Sequence, residues 1–251
     1  MIEINNVQVD QRLLPCSVTF SAGSIVHIVG PNGSGKSSLL SAISGLLPYQ
    51  GEVLYDGENI AAVSTRQLAQ WRAYLPQYQT PAFHVDVFQY LALSLPSYVD
   101  ALRDDVNTVI HQLCDKLQLT DKLSRSIHQL SGGEWQRVRL IGACLQLWPE
   151  WNTQGKVLIL DEPAAPLDIA QQALLYTLLE EISRLGITII MANHDLNRTF
   201  QQAHHVVLLQ QGRLFASGSP AQVLTEERVE AAFGTPVILA KLSERTVLLF
   251  D

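Results

Sequence analysis

Eight consecutive residues, Gly30-Pro31-Asn32-Gly33-Ser34-Gly35-Lys36-Ser37, constrain this chain more than any other feature. They follow the apolar run Ile25–Val29 and precede a stretch of helical character at residues 38–46, which opens with Ser38. A strand, a glycine loop closing on Lys-Ser and then a helix is an arrangement whose backbone N–H groups and helix N-terminus wrap a polyphosphate. In that geometry Lys36 reaches the β- and γ-phosphates and Ser37 holds Mg²⁺. At average glycine usage the fixed positions coincide in roughly one chain in a hundred of this length, before the strand–helix context is counted. A glycine-rich turn capping an ordinary helix has no need of the Lys-Ser pair. The sequence therefore predicts a nucleoside-triphosphate site.

The rest of the chain bounds what such a site can serve. A length of 251 residues suits one large α/β domain with a substantial core. Its 17 basic and 24 acidic residues leave a net charge of −7, which argues against sequence-independent binding to nucleic acid. The apolar runs are strand-sized, far short of the ~18 residues of a membrane span. The opening Met1-Ile2-Glu3-Ile4 has neither a basic stretch nor a long apolar one, so no signal peptide is expected. Cys16, Cys114 and Cys144 are widely spaced, and buried thiols are expected rather than a disulfide or a metal site.

Residues 1–80 read as short strands at 2–9, 18–20, 25–29 and 52–55, with Gly51 and Asp56-Gly57 as turn residues, and a further strand over 72–77. From 82 to 150 the pattern turns helical. Val106, Val109, Ile110, Leu113 and Leu117 recur at helical spacing, with Asp104 or Asp105 as the cap. Alternation returns after 156. A buried strand at 157–160 precedes a helix over 168–185 whose inner face is Leu174, Leu178, Ile182 and Leu185, with Gly186 past its end. A second buried strand at 187–192, a hairpin at 206–216 and a terminal strand pair at 236–251 complete the chain.

Two further segments carry chemistry. Asp161-Glu162-Pro163 follows a hydrophobic strand, and alternation would send the two carboxylates to opposite sides. Asp161 then suits a metal shell and Glu162 a general base. Without the loop at 30–37, such a pair would read simply as the start of a turn. Ser131, Gly132, Gly133 and Glu134 have the spacing of a capping box, and the two glycines would leave the helix N-terminus open to an anion. Read by itself the segment is a well-capped structural helix. His27 is expected in a strand core, and His204 and His205 at the start of another strand, in structural roles.

Residues 30–37, Gln77, residues 130–136, Asp161-Glu162-Pro163, Leu167-Asp168 and His194 occur in the order and spacing of the ATP-binding-cassette (ABC) ATPases, which the chain resembles over nearly its whole length. The resemblance implies an α/β P-loop NTPase core with an antiparallel β subdomain over residues 1–81 and 151–251. A helical signature subdomain at 82–150 completes a single domain, 1–251. It implies ATP and Mg²⁺ as cofactors, held by Gly30, Pro31, Asn32, Gly33, Ser34, Gly35, Lys36, Ser37 and Ser38, with Ser37, Gln77 and Asp161 on the metal. Glu162, His194 and Gln77 carry catalysis by the same resemblance, with His194 on the γ-phosphate. Ser131, Gly132, Gly133 and Glu134 would complete the site of a second copy in a head-to-tail homodimer. Asp168 would belong to the loop that communicates across that dimer.

Residues 73–81, 130–140 and 193–199 are similar to the ATPase subunits of bacterial vitamin B12 importers, and much of the pattern is shared with iron-siderophore and haem importers. That implies two polytopic membrane permease subunits as partners, a periplasmic substrate-binding protein indirectly, and no nucleic acid. The place implied is the cytoplasmic face of a bacterial inner membrane, as a peripheral protein docked through residues 78–83. A soluble ABC ATPase outside transport is the competing reading. Two departures stand out. Val9-Asp10-Gln11-Arg12 offers no aromatic ring to stack on adenine, so the Arg12 guanidinium would take that place. Ala165-Pro166 also lacks the hydroxyl usual before Leu-Asp.

Overall fold

The computed structural model describes residues 1–77, 84–242 and 245–250. Contacts divide the chain into two compact units, Met1–Ser64 with Thr188–Asp251, and Thr65–Ile187.

In the first unit β1 (Ile2–Val9) buries Ile2, Ile4, Val7 and Val9 and lies between β2 (Leu13–Phe20) and β4 (Gln50–Tyr55), antiparallel to both. The two-residue β5 (Glu58–Asn59) completes this sheet. β2 begins well before the expected residue 18. Pro15 breaks up the strand signal, yet it stands on an edge strand at a register irregularity between Leu13 and Cys16, where a missing N–H is tolerated. Gly51 is not a turn residue. It lies inside β4 with φ of 92°, where the ladder with β1 skips between Asn5 and Gln8, and a Cβ there would come within 2.3 Å of the Asn6 carbonyl oxygen. It marks a bulge. Asp56 and Gly57, both at positive φ, form the tight β4–β5 turn as expected.

The other sheet of this unit is built on β3 (Ile25–Val29), which is buried along its whole length. It runs parallel to both β8 (Thr188–Ala192) and β9 (His205–Gln210), and β9 returns through an antiparallel hairpin to β10 (Arg213–Gly218). The helix α1 (Lys36–Ile43) packs Leu39, Leu40, Ala42 and Ile43 inward. Three short helices were not foreseen: α7 (Leu196–Gln202), α8 (Pro220–Val223) and α9 (Glu226–Phe233). Each is too short to show a helical period in sequence. With the terminal ribbon β11 (Val237–Leu242) and β12 (Arg245–Phe250) they close a core around Val206, Leu208, Val223, Leu224, Val229 and Leu248.

The second unit opens with α2 (Thr65–Trp71), also unforeseen because only Leu68 and Trp71 are buried in its seven residues. It leads into β6 (Arg72–Leu75), which pairs in parallel with β7 (Val157–Asp161). Four helices follow: α3 (Val87–Leu93), α4 (Asp104–Lys116), α5 (Gly132–Gln146) and α6 (Ile169–Arg184). The expected stripe on α4 is buried in full. Its N-cap is Arg103, while Asp104 and Asp105 occupy the first turn, where negative charge meets the positive end of the helix dipole. On α6 the inner face is Leu175, Tyr176, Leu178, Leu179 and Ile182. Leu185 is 49% exposed because it is already the C-cap, before the left-handed Gly186. Cys16, Cys114 and Cys144 are free and buried, and burial pushes their thiols up to about 11, 12 and 12, so they are inert rather than reactive.

We predict that Gly51→Ala destabilises the protein by about 1–3 kcal/mol, from the left-handed backbone and the approach to the Asn6 carbonyl together. Urea unfolding checks this, and an unchanged midpoint would show that the β1–β4 bulge relaxes freely.

Candidate functional site

The glycine loop belongs to the first unit. Gly30 leaves β3 at φ 149°, and a Cβ there would sit 2.2 Å from the Leu209 carbonyl oxygen, so no larger residue fits. Gly35 is the N-cap of α1 in the left-handed region, its missing Cβ facing the Arg12 carbonyl oxygen at 2.8 Å. Ser34 N–H donates to the Pro31 carbonyl, and the Ser34 carbonyl accepts from Gly212 N–H, which ties the loop to the β9–β10 turn. Lys36 is buried and bends back over the loop, its Nζ donating to the carbonyls of Gly30 at 2.9 Å and Pro31 at 3.2 Å. No acidic side chain occupies the first turn of α1 and no side chain caps it. The first-turn residues Ser37 and Ser38 therefore sit at the positive end of a helix, where an anion is favoured. A cavity of about 370 Å³ adjoins the loop, lined by Asn32, Gly33, Ser34, Gln210 and Phe233 among others. The backbone of Arg12 touches Gly35 and Gly212, so the residue expected at a nucleobase does stand beside the loop.

His194 lies in the same unit, exposed on the turn between β8 and α7. Its neighbours hold that turn tightly. Asn193 N–H donates to the Ile28 carbonyl, and Asn193 Oδ1 accepts from Asp195 N–H at 3.1 Å. This turns Asn193 Nδ2 toward His27 Nδ1 at 3.3 Å. The same His27 nitrogen lies 2.9 Å from Thr199 Oγ1, which donates to the Asp195 carbonyl, and Asp195 caps α7 by accepting from Arg198 N–H. His27 is in the strand core as expected, and burial, with His204 adding to it, pushes its pKa down to about 3. Sequence reading gave it no part in placing His194. The available signal was a polar ring inside an otherwise apolar strand, which must find partners when buried.

The second unit carries the carboxylates. Asp161 ends β7 and is buried. Glu162 follows at φ 50°, a sparsely populated conformation for a side chain of this kind and one that gathers at functional sites. Strand alternation was expected to set its direction. The strand ends one residue earlier, and the left-handed backbone sets it instead. The structure brings Gln77 and Glu162 together, with Gln77 Nε2 donating to Glu162 Oε2.

Ser131 caps α5 through a reciprocal box: its Oγ accepts from Glu134 N–H at 3.2 Å, and Glu134 Oε2 accepts from Ser131 N–H at 2.8 Å. That backbone bond, helped by Lys122 and opposed by desolvation, holds the Glu134 carboxyl below the usual range. Only one of the two glycines is open in the way expected. Around Gly132 there is free space, whereas a Cβ on Gly133 would meet Gln171 Oε1 at 2.9 Å and the Pro166 carbonyl at 3.2 Å. Gly133 is thus crowded by the Gln171 side chain and by the loop before α6. Ala165 and Pro166 are exposed in that loop, and Asp168 caps α6 by accepting from Gln171 N–H. Residues 78–83 lie outside the described residues.

A glycine loop on a parallel strand, a carboxylate pair at a second strand end and a serine-capped signature helix define an ATP-binding cassette. The ABC transporter family profile matches residues 13–165, and the chain belongs to that family as an ATP-binding subunit with ATPase activity. It is 52% identical over 251 residues, the full length of both chains, to the vitamin B12 import ATP-binding protein BtuD of Vibrio cholerae O395. It is 47% identical to the protein of that name from Photobacterium profundum, over 100% of this chain and 99% of the other. Among solved structures, cbiO1 of Clostridium perfringens, part of the ABC transporter complex cbiONQ, is 25% identical with a TM-score of 0.75 over 92% of each chain. A bacterial Atm1-family ABC exporter with ATP bound has a TM-score of 0.77 at 23% identity, over 92% of this chain and 40% of that one, a likeness of fold. Among the described residues no helix is long and apolar enough to cross a membrane.

His27 generates a pH prediction. Its folded-state pKa of about 3 lies below the unfolded value near 6.5, so folding holds it neutral. Its contribution to stability is complete above about pH 6.5 and is lost as pH falls toward 3. His27→Asn, which keeps an acceptor near the Nδ1 position, is expected to lose thermal stability less steeply than wild type across that window. Parallel curves of melting temperature against pH would refute this.

Proposed function

We propose that the chain is the ATP-hydrolysing subunit of a bacterial ABC importer for vitamin B12. The observation that carries the reading is 52% identity over the whole of both chains to an import protein of that name. The loop from Gly30 to Ser38 cradles the phosphates of ATP, with Lys36 released from the Gly30 and Pro31 carbonyls to the β- and γ-phosphates. Ser37, Asp161 and Gln77 would hold Mg²⁺. A hydroxyl, a carboxylate and an amide oxygen form the hard donor set this ion takes, and it would neutralise charge on the phosphates. Gln77 reaches Glu162 through Nε2, which leaves its Oε1 as the donor oxygen. Glu162 accepts the proton of the attacking water, Gln77 orients that water, and His194 donates to the γ-phosphate.

Ser131, Gly132, Gly133 and Glu134 serve the nucleotide of a second copy, in a head-to-tail homodimer docked on two polytopic membrane subunits. The capped but uncovered first turn at Gly132 supports that role. A periplasmic binding protein delivers cargo through those membrane subunits. The subunit works at the cytoplasmic face of the inner membrane as a peripheral protein, with residues 78–83 as its contact.

Glu162→Gln is expected to keep ATP binding and lose ~10²–10⁴-fold in turnover, the span of a proton-transfer role. Sedimentation of that variant should show a dimer in Mg-ATP and a monomer in ADP. The full chain should co-purify with a polytopic membrane protein and support cobalamin uptake by reconstituted vesicles. Near-normal hydrolysis by Glu162→Gln would remove the general base. Uptake of an iron chelate in place of cobalamin would remove the cargo while sparing the ATPase assignment.

A further inference from the structure

α5 is buried over ten consecutive residues, and two of them make contacts that a packing role does not call for. Arg139 and Gln136 are each 3% exposed. Arg139 Nη2 donates to the Pro76 carbonyl at 2.6 Å and Nη1 to Gln136 Oε1 at 2.8 Å. Gln136 Nε2 in turn donates to the Pro163 carbonyl at 3.1 Å. The orientation of the Gln136 amide follows from its neighbours, since a guanidinium only donates and a peptide carbonyl only accepts. Pro76 immediately precedes Gln77, and Pro163 immediately follows Glu162. The Gln77–Glu162 hydrogen bond closes the circuit. Starting at Arg139, the ring runs through Pro76, Gln77, Glu162, Pro163 and Gln136, and every link is a hydrogen bond or a peptide bond.

We propose that Arg139 and Gln136 are positioning residues for ATP hydrolysis, holding the backbone on either side of the Gln77–Glu162 pair and joining it to the helix that Ser131 caps. The inference rests on the roles given above to Gln77 and Glu162.

Burying a guanidinium against neutral acceptors is unfavourable unless it is put to use. Among the described residues no carboxylate pairs with Arg139, and its Nε has no hydrogen-bond partner. Burial pushes the guanidinium's affinity for its proton down. What the side chain does satisfy is geometric. A planar fork spans two acceptors on different segments, which an ammonium on a flexible stem does not do. Glu162 needs this support because its left-handed backbone is unfavourable and must be held by its surroundings. Both arms of the brace leave one rigid helix turn, at positions three residues apart on the same face. A displacement of the signature end of α5 is therefore transmitted to both members of the pair together.

Steady-state ATPase kinetics and thermal melting of the full chain test this. Arg139→Met is expected to lower kcat about tenfold or more while leaving KM for ATP within about threefold, since it misplaces reacting groups without touching the glycine loop. Its melting temperature should change little, because relief of the buried charge offsets the donor lost to the Pro76 carbonyl and Gln136 Oε1. Arg139→Lys should not restore kcat, as one point charge does not bridge both acceptors. Gln136→Glu, which still accepts from Arg139 but no longer donates to Pro163, should lower kcat by itself and is the second variant if Arg139→Met fails to fold. In a Gln77→Ala background, Arg139→Met should cost clearly less than it does in the wild type, because one of the two groups the brace holds is gone. A full tenfold loss in that background, or wild-type kcat in both Arg139→Met and Gln136→Glu, would overturn the proposal. Glu162→Gln separates the two levels. If that variant hydrolyses ATP normally, the assigned general base is wrong. If it is inactive while Arg139→Met and Gln136→Glu both turn over as wild type, only the positioning role fails.

Discussion

The first unit depends on β3. Five residues, Ile25–Val29, are buried throughout and hydrogen-bonded in parallel to strands on both sides. Such a strand cannot shift register without exposing apolar side chains and breaking two ladders. It therefore provides a fixed origin for whatever leaves its end. The glycine loop leaves it directly, at a residue whose missing Cβ lets the chain pass the Leu209 carbonyl. The His194 turn is fastened to the same strand by Asn193 N–H on the Ile28 carbonyl, and Asn193 Nδ2 and Thr199 Oγ1 both lie within hydrogen-bond reach of His27 Nδ1. One rigid strand thus sets the position of both the phosphate loop and the histidine assigned to the γ-phosphate.

The second unit follows the same logic with polar groups. β7 is fully buried and ends at Asp161, and α5 holds the backbone beyond it at Pro163 and beyond β6 at Pro76. α5 buries Gln136, Arg137 and Arg139 among its apolar residues, and each of the three finds carbonyl or amide acceptors. Arg137 reaches the Leu117 carbonyl and secures the end of α4, a structural contact. The neighbouring Gln136 and Arg139 reach backbone beside the assigned catalytic pair. Buried polar networks of this sort specify a unique arrangement more than they add stability. At the helix start, Gly133 is crowded by Gln171 and the Pro166 carbonyl, and Ser131 with Glu134 secures the first turn.

Much of the site was legible because its chemistry is local. The loop at 30–37, the carboxylate pair at 161–162 and the capping box at 131–134 each act within a few residues, so the loop is identified by its spacing and the other two are read once the loop is present. The long buried strands and α4 were legible for a related reason, since a run or stripe of apolar residues reports burial directly. The short helices α2, α7, α8 and α9 were not, because four to eight residues complete barely one or two turns and their burial is set by neighbours distant in the chain. Gly51 misled for the opposite reason. Glycine signals a left-handed backbone, and only the partner strand decides whether that backbone is a turn or a bulge.

By itself the sequence determined that this chain is an α/β nucleotide-binding protein and which residues carry charge, nucleophilicity or a phosphate-sized opening. Those properties belong to side chains and to local backbone freedom, and they are present before folding. Tertiary structure decided the aim of those groups. Glu162 takes a left-handed turn, Gln77 bonds to a carboxylate 85 residues away, and His27 braces a loop 166 residues distant. No local pattern encodes such pairings. A buried donor or acceptor must find a partner, but which partner it finds is settled only when the strands and helices that carry them pack together.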